Sequence, residues 1–169
     1  MANVLRELLP QASSFPPTGF AQYIRNQGTA GPVTWLAYDA AATESAFWEL
    51  GATVYGSGPI TVDVVWGAAT ATSGVVRWEA QLAAITPETD TVSAEAKTFA
   101  TAAAVDDTHL GTTAKRLMRA TLTLSAGSLD TMASGDELWV KVSRLGGHAN
   151  DTLAGDALLH KVLLTWSDT

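Results

Sequence analysis

The 169-residue chain contains no cysteine, which excludes disulfides, thiolate metal sites and a cysteine nucleophile together. Stability must then come from packing and, where copies meet, from assembly. Charge is scarce as well: charged residues make up 16% of the chain, below the roughly 25% of an average globular protein. Such a chain has either a bland exterior or surface that is covered in the working state. The net charge is −7, and Lys115, Arg116 and Arg119 form the only basic cluster. Three cations are too few to track phosphates along a groove, so nucleic acid is not an expected partner. No apolar run approaches the roughly eighteen residues of a membrane-spanning helix. Arg6 and Glu7 interrupt the opening apolar run and Pro10 follows it, unlike a signal peptide. The expectation is a soluble product of the cytosol with no membrane partner.

What is present is alternation. From Thr34 to Trp166 short apolar/polar alternating segments are closed by Gly, Asp, Ser or Thr clusters. Period-two patterning of this kind marks strands with one packed face and one wet face. Eight strands are expected, over 33–40, 43–51, 60–68, 75–86, 92–101, 117–125, 136–145 and 157–166. Ile60, Val62, Val64 and Trp66 should face inward, as should Val76, Trp78, Ala80 and Leu82. The same holds for Met118, Ala120, Leu122 and Leu124, and for Leu138, Val140 and Val142, with Trp139 and Lys141 on the opposite face. The 92–101 segment reads as an edge strand because of Glu95 and Lys97. The 157–166 segment is apolar on both faces, as a central or partner-covered strand would be. Together these predict an all-β, jelly-roll-like two-sheet sandwich, with the connections 67–74, 101–116 and 146–156 crossing between sheets.

Residues 1–32 lack the alternation and are expected to form an extended N-terminal arm ahead of a 33–169 sandwich domain. VLRELL could make one or two amphipathic turns with Val4, Leu5, Leu8 and Leu9 on one side, ended by Pro10. A helix that short is marginal unless docked. Phe15, Phe20, Tyr23 and Ile24 then stand isolated among turn formers, where a disordered linker would lack aromatics. These eight apolar residues are candidate contacts to a partner; the other reading folds the arm back on its own domain. Fully extended, thirty residues reach about 100 Å.

Catalytic signatures are thin. His160 lies within a strand as a satisfied structural histidine, while His109 and His148 read as solvated loop residues. Ser73-Gly74 lacks the G-x-S-x-G elbow. Asp106-Asp107 and Asp136-Glu137 read as turn acids, and strand neighbours such as Asp136 and Glu137 point to opposite faces. No catalytic residue and no cofactor is assigned. Asn150, Asp151 and Asp156 in GGHANDTLAGDA offer oxygens to a hard cation, but Asx-type turns account for them equally. Of six tryptophans, Trp66 and Trp78 follow core parity. Trp35, Trp48, Trp139 and Trp166 are open between core, interface and a sugar-stacking role.

Three stretches, WLAYDAAATESAFWEL (35–50), WGAATATSGVVRWEAQL (66–82) and GDELWVKVSRLGGHANDTLAGDALLHKVLLTW (135–166), together resemble a family of small tailed-phage virion proteins with a jelly-roll-like domain. The matching hairpin residues are Trp66, Ala71, Thr72, Ser73, Gly74, Val76 and Trp78. The terminal ones are Arg144, Asp151, Thr152, Gly155, Asp156 and Ala157. The resemblance covers the body, roughly 34–166, and implies a non-enzymatic role as a capsid decoration (cement) protein. In that role the protein would form a homotrimer on the outer capsid surface of the virion, with the arm clamping the major capsid protein. A long arm raises avidity without a large single interface, and capsid lattices offer three-fold sites. The alternative is a tail or fibre module that binds host receptor or carbohydrate.

Overall fold

The computed structural model describes residues 2–169, which form ten strands: β1 (Asn3–Leu8), β2 (Gln22–Gln27), β3 (Pro32–Tyr38), β4 (Thr43–Ala52), β5 (Ile60–Ala68), β6 (Ser73–Ile85), β7 (Ala103–Leu110), β8 (Met118–Leu124), β9 (Asp136–Leu145) and β10 (Ala157–Ser167). They make a six-stranded sheet of order β2-β3-β10-β5-β8, with β1 also paired to β10, and a four-stranded sheet of order β4-β9-β6-β7. All named pairings are antiparallel. The expected two-sheet sandwich is the fold of the chain. Of the connections expected to cross between sheets, 67–74 and 146–156 do so, while 101–116 is half taken up by β7 and only the short 111–117 link crosses to β8.

The inward parity of β5, β6, β8 and β9 follows the alternation, with Ile60, Val62, Val64, Trp66, Val76, Trp78, Ala80, Leu82, Leu122, Leu124, Leu138, Val140 and Val142 all buried in one core. Trp48, Trp66, Trp78 and Trp166 are among its largest buried side chains. Trp78 meets Tyr38 edge-on at 5.2 Å and Trp66 at 5.9 Å, the tilted geometry that aromatic quadrupoles favour. Trp35 is buried on the outer side instead, in a small cluster with Ala37 and Leu158.

Residues 1–32 depart from the expected arm. VLRELL is not helical; it is strand β1, laid along the part of β10 that β3 does not reach, from Leu8 opposite Val162 to Asn3 opposite Ser167. Helical propensity over six residues is a weak preference, and an open row of β10 backbone groups outweighs it. Arg6 at an inward position of β1 had hidden the period of two. Gln22–Gln27 extends the same sheet beyond β3. Between these strands, residues 9–21 cross to the edge of β4. There Ser14 and Phe47 exchange backbone hydrogen bonds of 2.8 and 3.0 Å, and the Ser45 N–H donates to the Gly19 carbonyl. Gly19 takes φ +65° to make that return, a conformation open to glycine at no steric cost.

The 92–101 segment is not an edge strand. It holds a 3-10 turn at Ala94–Ala96, and the strand lies just after it as β7. The inward positions of β7 include Asp107 and His109, polar residues that masked its alternation. Asp107 accepts from the Trp66 indole N–H at 2.7 Å. His109, expected in solvent, is fully buried, with Nδ1 2.8 Å from the Thr72 carbonyl. The Gly111 N–H lies 3.2 Å from the same nitrogen. Asp106 and Asp107 are therefore strand acids rather than turn acids.

Candidate functional site

The outer face of the four-stranded sheet carries a groove of about 820 Å³. Its floor comes from the outward parity of three strands: Phe47 next to inward Trp48, Ala83 between inward Leu82 and Ala84, and Trp139 between inward Leu138 and Val140. Trp139 sits in register between Glu49 on one side and Ala83 on the other. Ala83, itself buried, forms the floor beside the indole. Trp139 is half-buried while Trp35, Trp48, Trp66, Trp78 and Trp166 are buried.

Two irregular segments wall the groove. One is Ser14–Pro17, held against β4 by the Ser14–Phe47 pair; its Phe15 is 39% exposed and lies 6.2 Å from Phe20. The other is the Ala94–Phe99 stretch, whose Phe99 ring lies 5.7 Å from Phe47. This second wall is anchored on β6. Past Ala80, where β7 stops, that edge of β6 bonds to the wall and its support: Leu82 O accepts from Ala100 N at 2.9 Å, and Ala84 N donates to Asp130 Oδ2 at 2.8 Å. The same Asp130 oxygen holds Lys97 Nζ at 3.0 Å. Asp130 and Thr131 both take left-handed φ, +50° and +57°, a conformation that costs side-chain-bearing residues energy and is kept only where surroundings impose it. Here it turns the carboxylate back to the base of the wall.

The groove thus offers four aromatic rings, Phe15, Phe47, Phe99 and Trp139, with Ser14, Glu95 and Lys97 as its polar lining. Chemically it can stack flat, weakly polar rings and hydrogen-bond their substituents. Glu95 is its one lining carboxylate.

Of the eight residues expected to meet a partner, only Phe15 lines this groove. Leu8 is a correction: it is buried in the protein's own core, with Val4 packed beside it. Ile24 packs on the Trp35 cluster. Leu5, Leu9, Phe20 and Tyr23 remain exposed, at 58, 42, 43 and 48%. In the sequence Trp139 is open between core, interface and sugar stacking, whereas Phe47 and Phe99 escaped the sequence reading; for Phe47 the available signal was an aromatic on the outward parity of its strand, and Phe99 lies in no strand.

The 146–157 loop is fastened by Arg144. Arg144, fully buried, binds Asp151 through both carboxylate oxygens at 2.7 and 2.9 Å and donates to the Tyr38, Leu153 and Gly155 carbonyls. The Asn150 amide donates to Asp106. Among the described residues no group of three His, Cys, Asp or Glu side chains is placed to hold a metal. His160, expected to be satisfied, lies at the β10 bulge with its ring 5.2 Å from Trp35 and Nδ1 lacking a partner in the chain. His148 is a loop residue whose Nδ1 accepts from Asn150 N.

Neither a protein-family model nor a curated protein sequence matches the chain. Solved structures do. A family 35 carbohydrate-binding module from an environmental isolate superposes with a TM-score of 0.53 at 12% identity, covering 96% of this chain and 94% of that one. The xylan-binding domain CBM22-1 of Paenibacillus barcinonensis Xyn10C gives 0.52 at 8% identity, over 98% and 97%. The xylan-binding module CBM15 gives 0.50 at 16% identity, over 99% of both chains. The chain has the β-sandwich fold of these carbohydrate-binding modules. At such identities the likeness concerns the fold alone.

Proposed function

We propose that this chain is a non-catalytic binding module that holds a stretch of carbohydrate in the groove between Ser14–Pro17 and Ala94–Phe99, as part of a phage tail or fibre. The observation that carries the reading is Trp139, partly exposed on the sheet floor beside the Phe47–Phe99 pair. A ring stacked there loses little freedom, because strands and walls are already in place. Glycosidic hydrolysis needs two opposed carboxylates, and the lining supplies Glu95 alone. The fold shared with carbohydrate-binding modules agrees with this reading, and the virion setting rests on the sequence resemblance. Titration of the purified protein against a panel of soluble polysaccharides tests it. Binding is expected, with a loss of about tenfold or more on Trp139→Ala or Phe47→Ala, since stacking contributes about 1–3 kcal/mol per ring by analogy with base stacking. A protein that binds no glycan, or binds equally well without Trp139, would sink it.

Leu5, Leu9, Phe20 and Tyr23, apolar and exposed on the first 23 residues, favour a second reading. In it the protein is a homotrimeric decoration protein docked on the major capsid protein through these side chains. Co-sedimentation with capsids separates the two: Tyr23→Ser and Leu5→Ser should abolish capsid binding under this reading and leave glycan binding untouched under the first.

A further inference from the structure

The charges around the groove say what kind of carbohydrate it accepts. On the outer face of the four-stranded sheet and its second wall, the cations are Arg77, Lys97 and Lys141. Arg77 is paired with Asp106 at 2.7 Å and Lys97 with Asp130 at 3.0 Å. Lys141 donates to the Gln81 amide oxygen at 3.2 Å. Against them stand Asp106, Asp130 and four carboxylates that take part in no ion pair among the described residues: Glu49, Glu79, Glu95 and Glu137. Glu49 is directly opposite Trp139. Glu137 is two residues from it on the same strand face, and Glu95 lines the groove itself.

We infer that the groove selects neutral glycans, such as uncharged hexose or pentose chains, and rejects acidic polysaccharides. The inference rests on the carbohydrate-binding reading above and adds its ligand class. Unpaired carboxylates are acceptors only, and the hydroxyls of a neutral sugar are donors that suit them. A uronate or sulfate brought to the same place meets Glu95 in the lining and Glu49 and Glu137 beside it, with Lys141, held by the Gln81 amide, as the one ammonium on this face outside an ion pair. Like-charge juxtaposition of this kind excludes a ligand without weakening the right one.

Affinity electrophoresis of the full chain through gels containing a neutral β-glucan, a neutral xylan or polygalacturonate tests the inference. The neutral polymers should retard the protein and polygalacturonate should not. That retention should change little from about 0.01 M to about 1 M salt, over which the screening length falls from roughly 30 to 3 Å. The double charge reversal Glu49→Lys with Glu95→Lys should raise retention by polygalacturonate by roughly tenfold or more. Polygalacturonate retarding the wild-type protein as strongly as the neutral polymers would overturn the inference. If Trp139→Ala abolished that retardation, the groove would still be the glycan site and only the ligand class would fall. If Trp139→Ala altered retention by none of the polymers, the binding reading itself would fail.

Discussion

Arg144 shows what the terminal motif is for. Arg144, Asp151, Thr152 and Gly155 are the parts of one fastening: the guanidinium clamps Asp151 and the Gly155 carbonyl, while Thr152 accepts from Val75 N at 3.0 Å. The motif therefore reports framework and is silent about the groove. Removing one partner of a buried ion pair leaves the other uncompensated, so Arg144→Ala should cost about 3–5 kcal/mol in urea unfolding. Adding Asp151→Ala should cost much less than the sum of the two single changes. Glu44 behaves oppositely. Burial pushes its carboxyl above the usual range and the charges of Asp39 and Asp156 add to this, against a hydrogen bond from Asp39 N and the charge of Arg144. Ionised Glu44 thus opposes folding: its favourable contribution is full below the unfolded-chain value and is lost as pH rises through the raised one. Glu44→Gln keeps an oxygen for Asp39 N and should raise the melting temperature at pH 7. The gain should vanish near pH 4, where calorimetry would find the two proteins alike.

At the scale of elements, strands whose inward positions are all apolar were legible, because side-chain direction in a strand has a period of two. β5, β6 and β8 are of this kind, and β9 is so from Leu138 to Val142, between buried Asp136 and Arg144. Strands with polar residues facing in were not: Arg6 in β1, and Asp107 and His109 in β7, hydrogen-bond to distant segments. β2, with Gln22, Arg25, Asn26 and Gln27, gives no apolar face to read and forms because β3 offers it an edge. β1 belongs to the sheet, so deleting residues 2–8 should lower the unfolding free energy. Loss of buried Leu8 alone accounts for about 2–5 kcal/mol. The bared β10 edge should also promote self-association, visible by sedimentation. Unchanged stability in that deletion would return these residues to the status of a free arm.

For the whole molecule, the two faces of the sandwich have different work. The six-stranded sheet covers its outer side with Trp35, Ala37 and Leu158, while the four-stranded sheet leaves Trp139 and Phe47 beneath a groove. Trp139→Ala should therefore lower the melting temperature less than Trp78→Ala, which should cost about 3–5 kcal/mol and unfold the site with the rest, and on the proposed reading only Trp139→Ala would remove glycan binding from a folded protein.

Composition and alternation suffice for an acidic, disulfide-free sandwich, and for the side chains of β5, β6, β8 and the middle of β9 that point into its core. They do so because charge count and strand parity are local properties, readable a few residues at a time. Where the outward aromatics meet is a different matter. Phe15, Phe47, Phe99 and Trp139 are spread over more than a hundred residues, and long-range pairing of β4, β9 and β6 brings them together. The groove appears only once the 14–17 strip and the 94–99 stretch are laid over that sheet, through backbone hydrogen bonds that no periodicity encodes.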